Sequence, residues 1–197
     1  MLDWLKNKKY PDFWKTYLQK QEEKSSRYVT LSMETTGLNP QKDIILTIGA
    51  VTIEDNQLII KNSFEVILLQ YIYNHDQGLS NEFIVESKMT KYPESEGIQH
   101  LVEFLENATI IGHRVDFDLE MINIALSKLE CGKLKNQALD LEIMFRKWKE
   151  ISDDKNISID EIARALKLPE SDSGSAINDA YVIGLCFLKL KKYLQIE

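Results

Sequence analysis

Short runs rich in Ile, Val and Thr dominate the first third of the chain, and apolar residues recur every three or four positions through most of the remainder. The runs predict strands near 28–33, 45–54 and 57–67. Glu54-Asp55-Asn56 supplies turn residues between the second and third, so an antiparallel meander is expected. From Tyr71 to Glu94 the pattern is weak, and Asn74-His75-Asp76-Gln77-Gly78 reads as loop. A helix over about 95–107 places Ile98, Leu101, Val102 and Leu105 on one face, and a short buried strand at 108–112 follows it. Further helices are expected near 117–130, 141–150, 158–167 and 175–194, the last with Ala176, Ala180, Ile183, Phe187 and Leu190 along its buried stripe. Periodicity alone specifies an α/β chain.

A chain of 197 residues, 44% of them hydrophobic, is long enough to bury one sizeable core, which favours a single main domain. The formal net charge of −7 argues against coating nucleic acid through bulk electrostatics, but not against gripping one strand end. Cys131 and Cys186 lack metal-site spacing and read as reduced packing residues in helical surroundings. No signal-peptide core is apparent at the N-terminus, and runs such as Ala180 to Leu188 are too short to span a bilayer. A soluble cytoplasmic protein without membrane contact is expected.

The chemistry concentrates in four segments. Tyr28 to Met33 reads as a strand that ends in Ser32-Met33-Glu34, followed by Thr35-Thr36-Gly37-Leu38 and then Asp43-Ile44-Ile45 and Ile48-Gly49-Ala50-Val51. Downstream come Ile110-Ile111-Gly112-His113-Arg114-Val115-Asp116-Phe117-Asp118, then Ala138-Leu139-Asp140-Leu141, then Gly174-Ser175-Ala176-Ile177-Asn178-Asp179-Ala180. In order and spacing these resemble the motifs of the DEDD 3′–5′ exonucleases, including the proofreading epsilon subunit of bacterial DNA polymerase III. The resemblance covers roughly Arg27 to the C-terminus. It implies a ribonuclease H-like fold, with a mixed five-stranded sheet flanked by helices over 27–197 and an N-terminal helical extension over 1–26. The expected last helix closes the chain, so an epsilon-type tethering tail is not expected.

The resemblance also implies the site. In the family the first motif ends Asp-x-Glu, the second carries His-Asn before Phe-Asp, and the last reads His-x-Ala-x-x-Asp-Ala. Carried over, Glu34, Asp118 and Asp179 remain as catalytic, metal-binding carboxylates, whereas Ser32 stands at the first Asp, Arg114 at the Asn and Gly174 at the general-base His. Thr35, Thr36 and Leu38 are implied in the terminal-nucleotide pocket, or they serve only the turn. Gly37 reads as a backbone requirement of that turn. His113 is placed with Thr35, Thr36 and Leu38 as a substrate-binding residue, one that hydrogen-bonds locally rather than replacing the base, and His75 and His100 read as surface residues.

Phosphodiester hydrolysis by this family needs Mg²⁺ or Mn²⁺, and two such ions about 3.5–4 Å apart activate water and stabilise the leaving oxygen. General-base catalysis alone contributes roughly 10²–10⁴-fold. With Ser32 and Gly174 in place of Asp and His, weakened metal binding and impaired catalysis are expected, with binding of a single-stranded nucleic-acid 3′ end retained. The alternative is an active metal-dependent 3′–5′ exonuclease on single-stranded DNA or RNA using borrowed acids. Among candidates, Asp116 reads instead as the cap of a helix starting near Phe117, and Glu170 to Gly174 as a solvated loop.

Residues 1–26 carry an aromatic stripe, Trp4, Tyr10, Phe13, Trp14 and Tyr17, in a lysine-rich setting. Tyr10-Pro11-Asp12 predicts a break between two short helices, with Pro11 opening the second. The stripe either packs on the core or docks a protein partner or a second copy.

Overall fold

The computed structural model describes residues 10–69, 79, 81–152, 156–171 and 174–196. A short helix α1 (Asp12–Lys20) leads into a meander of β1 (Tyr28–Thr35), β2 (Ile45–Glu54) and β3 (Gln57–Leu69). Then follow α2 (Asn81–Glu86), β4 (Thr90–Pro93), α3 (Glu94–Leu105), β5 (Thr109–Gly112), α4 (Val115–Lys128), β6 (Ala138–Asp140), α5 (Leu141–Lys149), α6 (Ile159–Ala165) and α7 (Ala176–Tyr193).

The strands form one mixed sheet in the order β4-β3-β2-β1-β5-β6. The meander is antiparallel, as its turn signals predict, while β5 and β6 extend β1 in parallel and β4 pairs in parallel with β3. The sheet therefore has six strands where five were expected. The extra one, β4, has only four residues and lies where the sequence pattern is weak. A run that short carries no periodicity, and its pairing with β3 supplies what local preference does not.

Helices cover both faces. On one, Ile98, Leu101, Val102 and Leu105 of α3 and Met121, Ile122 and Ala125 of α4 pack on Val29 and Leu31 of β1 and Ile48 of β2. On the other, Leu141, Ile162, Ile183, Phe187 and Leu190 from α5, α6 and α7 pack on Ile53 and Ile111. Every residue of the expected α3 and α7 stripes is buried. Each such aliphatic side chain contributes roughly 1.5–3 kcal/mol of burial free energy, so the two stripes seat their helices firmly on the sheet.

The described part of the aromatic stripe faces inward. Tyr10, Trp14 and Tyr17 are buried in the first core cluster, and Trp14 stacks on Tyr17 with ring centroids 4.6 Å apart. The Tyr17 hydroxyl donates to Asn136 Oδ1 at 2.7 Å and accepts from the Lys135 amide at 2.6 Å, fastening α1 to the segment before β6. Burial pushes the Tyr17 phenol up to about 12. These rings therefore follow the core-packing reading of the stripe, and the docking alternative finds no support in them. Trp4 and the first of the two expected helices lie outside the described residues, as does His75.

Candidate active site

The site is assembled where the C-terminal end of β1 meets the start of α7. Alternation along β1 sends Val29 and Leu31 into the first core and turns Thr30, Ser32 and Glu34 to the face that α7 covers. Gly49, opposite Ser32 in the register, is what lets α7 approach. A Cβ there would lie 2.3 Å from the Ala176 carbonyl carbon and the Ile177 amide. Ser175 caps α7 by accepting from the Asn178 amide, and the first turn then carries Asp179 over Ser32.

Below these elements lies a cleft of about 370 Å³. Ser32, Thr35, Leu38, His113, Asp118 and Asp179, all singled out in the sequence, line it together. Leu38 stands at its rim, 79% exposed. Glu34 sits just behind this set, with its Oε2 accepting from Thr47 Oγ1 at 3.0 Å. Gly174 is beside it, and a Cβ built there would lie 3.8 Å from Glu34 Oε1.

Thr36 departs from the expected pocket set: it does not line the cleft, and its hydroxyl donates to Asp43 Oδ1 at 2.9 Å. Asp43 also accepts from the Asn39 amide at 2.7 Å and so organises the whole loop. Gly37 is required for a reason other than turn conformation. Its φ is not positive, but a Cβ would meet the Asp43 carboxylate at 2.7 Å. Asp116 is exposed and caps nothing; α4 begins at Val115, whose amide donates to Asp140 Oδ2 at 2.9 Å. The other Asp140 oxygen accepts from the Glu142 and Ile143 amides, so one carboxylate anchors the starts of both α4 and α5. Cys131 lies in the segment after α4 rather than in a helix.

Electrostatically the cleft is short of cations. Asp118 is 7% exposed, and its carboxylate has no hydrogen-bond partner among the described residues. Burial, with the Asp140 charge adding to it, holds Asp118 well above the usual carboxylate range. Asp179 is also raised, chiefly by burial; the Ser171 hydroxyl, which donates to it, and His113 oppose the shift, while Asp160 reinforces it. His113 donates its Nε2 proton to the Ile157 carbonyl at 2.7 Å, the local bond expected of it. Burial would raise Glu142, but its hydrogen bond with Arg146, the Ile157 amide and the nearby charges of Arg146 and His113 outweigh it and hold the group low.

Sequence reasoning overlooked Asp160 and read Ser171 only as part of a solvated loop, whereas it is half-buried with its hydroxyl donating to Asp179. Asp160 is brought to Asp179 through the Ser171 amide, which donates to Asp160 Oδ1 at 3.1 Å, a contact no local pattern signals. Phe117 was legible as part of a motif but not as cleft wall. Glu170 is on the surface, paired with Arg164 at 2.7 Å, and Asp172 lies outside the described residues.

Residues 29–187 match the family model described as Exonuclease. The chain belongs to this family of DEDD exonucleases. It is 26% identical over 177 residues to the PolC-type DNA polymerase III of Thermotoga petrophila, covering 87% of this chain and 12% of that protein. With the enzyme of the same name from Latilactobacillus sakei it shares 26% identity over 181 residues, 89% of this chain and 12% of the other. The chain thus spans about an eighth of the length of these relatives. Exonuclease I of E. coli in complex with a dT13 oligonucleotide has the same fold, with a TM-score of 0.66 at 15% identity over 87% of this chain and 42% of that one. A moderately thermophilic exonuclease I from Methylocaldum szegediense gives 0.66 at 13% identity, over 85% and 41%.

Exonucleases of this family generally use divalent metals. The donors present do not fit a paired-ion centre. Among the described residues no group of three or more His, Cys, Asp or Glu side chains is placed to hold a metal ion. Ser32 offers a neutral hydroxyl at the position where the family resemblance implies a carboxylate, and Gly174 offers no side chain.

Proposed function

We propose that this chain binds the 3′ end of single-stranded nucleic acid in the cleft and hydrolyses it little or not at all. What supports this reading is a well-lined cleft beside two positions at which the family resemblance implies an acid and a base that this chain lacks. Thr35, Leu38, Phe117, Asp118 and Asp179 line the cleft, while Ser32 and Gly174 stand at the positions where the resemblance implies an Asp and a general-base His. Glu34, Asp118 and Asp179 are the surviving members of the family's ligand set, and Mg²⁺ or Mn²⁺ binding is weakened accordingly. Leu38, exposed at the rim, wedges against the terminal base, with Thr35 and His113 beside it. E. coli exonuclease I, captured with an oligonucleotide, supports the choice of ligand by analogy of fold. Retained hydrolysis with a borrowed acid has one observation in its favour, the nearness of Asp160 to Asp179, but Asp160 is already committed to the Ser171 amide.

Fluorescence anisotropy with a short 5′-labelled oligothymidylate tests the binding reading. Linear strands with a free 3′ hydroxyl are expected to compete with the probe, circular single strands are expected to compete poorly, and Leu38→Ala is expected to weaken binding. Equal competition by circles, or no binding at all, would overturn it.

A further inference from the structure

Arg114 occupies the position where the family resemblance implies Asn, and its surroundings give it a specific task. It sits in the left-handed region, φ 58 and ψ 47, at the junction of β5 and α4, and its side chain is about half exposed on the wall of the cleft. It is the only Arg or Lys lining that cleft among the described residues. The other basic side chain there, His113, is tied to the Ile157 carbonyl.

The guanidinium is loosely held. Its Nε lies 3.7 Å from Glu142 Oε2, too far for a hydrogen bond. Glu142 is meanwhile occupied through Oε1, which takes Arg146 Nη2 at 2.7 Å, Arg146 Nε at 3.1 Å and the Ile157 amide at 3.2 Å. The two terminal nitrogens of Arg114 make no hydrogen bond among the described residues. Such a fork matches two oxygens of a phosphate, and unlike Lys it holds its charge and geometry at any accessible pH. A cleft that presents Asp118 and Asp179 repels a phosphodiester unless a cation intervenes, and its apolar walls, Met33, Leu38 and Phe117, suit a stacked base.

We infer that Arg114 clamps the terminal phosphodiester of a single strand directly, so that end binding in this chain does not depend on a divalent metal. The inference rests on the 3′-end reading above and adds to it the group that holds the phosphate.

The test measures anisotropy of a 5′-labelled oligothymidylate with the full chain in EDTA and in Mg²⁺, using wild type, Arg114→Gln and Arg114→Lys, with circular dichroism melts to verify folding. Binding is expected to persist in EDTA. Arg114→Gln should weaken it by about ten- to a hundredfold, the range for a charge-assisted contact, and reduce the slope of log affinity against log salt by about 0.7. Arg114→Lys, which keeps the charge but loses the fork, should fall between. Thymidine 5′-monophosphate should displace the probe from wild type at lower concentration than from Arg114→Gln. Binding that appears only with Mg²⁺, or that Arg114→Gln leaves unchanged in EDTA, overturns the clamp and leaves the 3′-end reading standing. Absence of binding in both buffers overturns both.

Discussion

Asp118→Asn is expected to stabilise the protein at neutral pH, because it removes a charge that the fold buries without a counter-ion. Asp118 is 7% exposed, lacks a hydrogen-bond partner among the described residues and faces the Asp140 charge, and its carboxyl is held well above the usual range by burial and by that neighbour. Asparagine keeps the shape and presents an amide that Asp140 attracts. The sign follows from linkage. A carboxyl raised in the folded state contributes stability that is complete below its unfolded value, near 3.9, and is lost as pH rises through the folded value. Each tenfold difference in proton affinity between the two states costs the wild type about 1.4 kcal/mol at neutral pH. For a domain of this size one kcal/mol corresponds to roughly 2–4 °C, so the gain is read as an upward shift of the melting temperature at neutral pH. Differential scanning calorimetry of both proteins in EDTA from pH 7.5 down to about 3.5 reads it, with the two melting temperatures converging at the acid end. A lower melting temperature for Asp118→Asn at neutral pH, or a gain that persists undiminished in acid, would refute the argument.

Trp14→Ala should cost about 3–5 kcal/mol and lower the melting temperature markedly, since the ring is fully buried, whereas an interface role would leave a stable monomer; circular dichroism melts decide. Ser32→Asp should destabilise the chain in EDTA by adding a third acid to the cleft, and should gain a Mn²⁺-dependent stabilisation of about 2.7 kcal/mol at a hundredfold excess over its dissociation constant, read from thermal shift. Gly174→His should not restore activity by itself and should cost roughly 1–2 kcal/mol, because Gly174 adopts φ 89, where side chains are strained; denaturant unfolding measures it.

The fold was readable wherever local pattern and burial coincide. The α3 and α7 stripes are long enough to average out noise, and the meander carries its own turn residues at Glu54-Asp55-Asn56. A segment such as β4, four residues long, owes its form to its pairing with β3, a partner distant in sequence. The same division holds in the cleft. Asp118 and Asp179, implied by the family resemblance, line one cleft, but what surrounds them was not legible. Asp160 reaches Asp179 through Ser171, and Asp140 holds α4 from 25 residues away. Arg114 was visible as a substitution, but its place on the cleft wall and its long 3.7 Å contact with Glu142 Oε2 are revealed only by the folded chain. Gly37 was marked as necessary, yet the cause is the Asp43 carboxylate packed against it.

The central claim is that the exonuclease fold and its cleft persist while the chemistry is lost. Digestion of a 3′-labelled single strand by highly purified protein in Mg²⁺ and in Mn²⁺, run beside Asp179→Asn to expose any contaminating nuclease, tests it most directly. Both proteins are expected to release label at the same background rate. Metal-dependent release by the wild type that Asp179→Asn abolishes would contradict it and would require a working ligand set without a carboxylate at position 32.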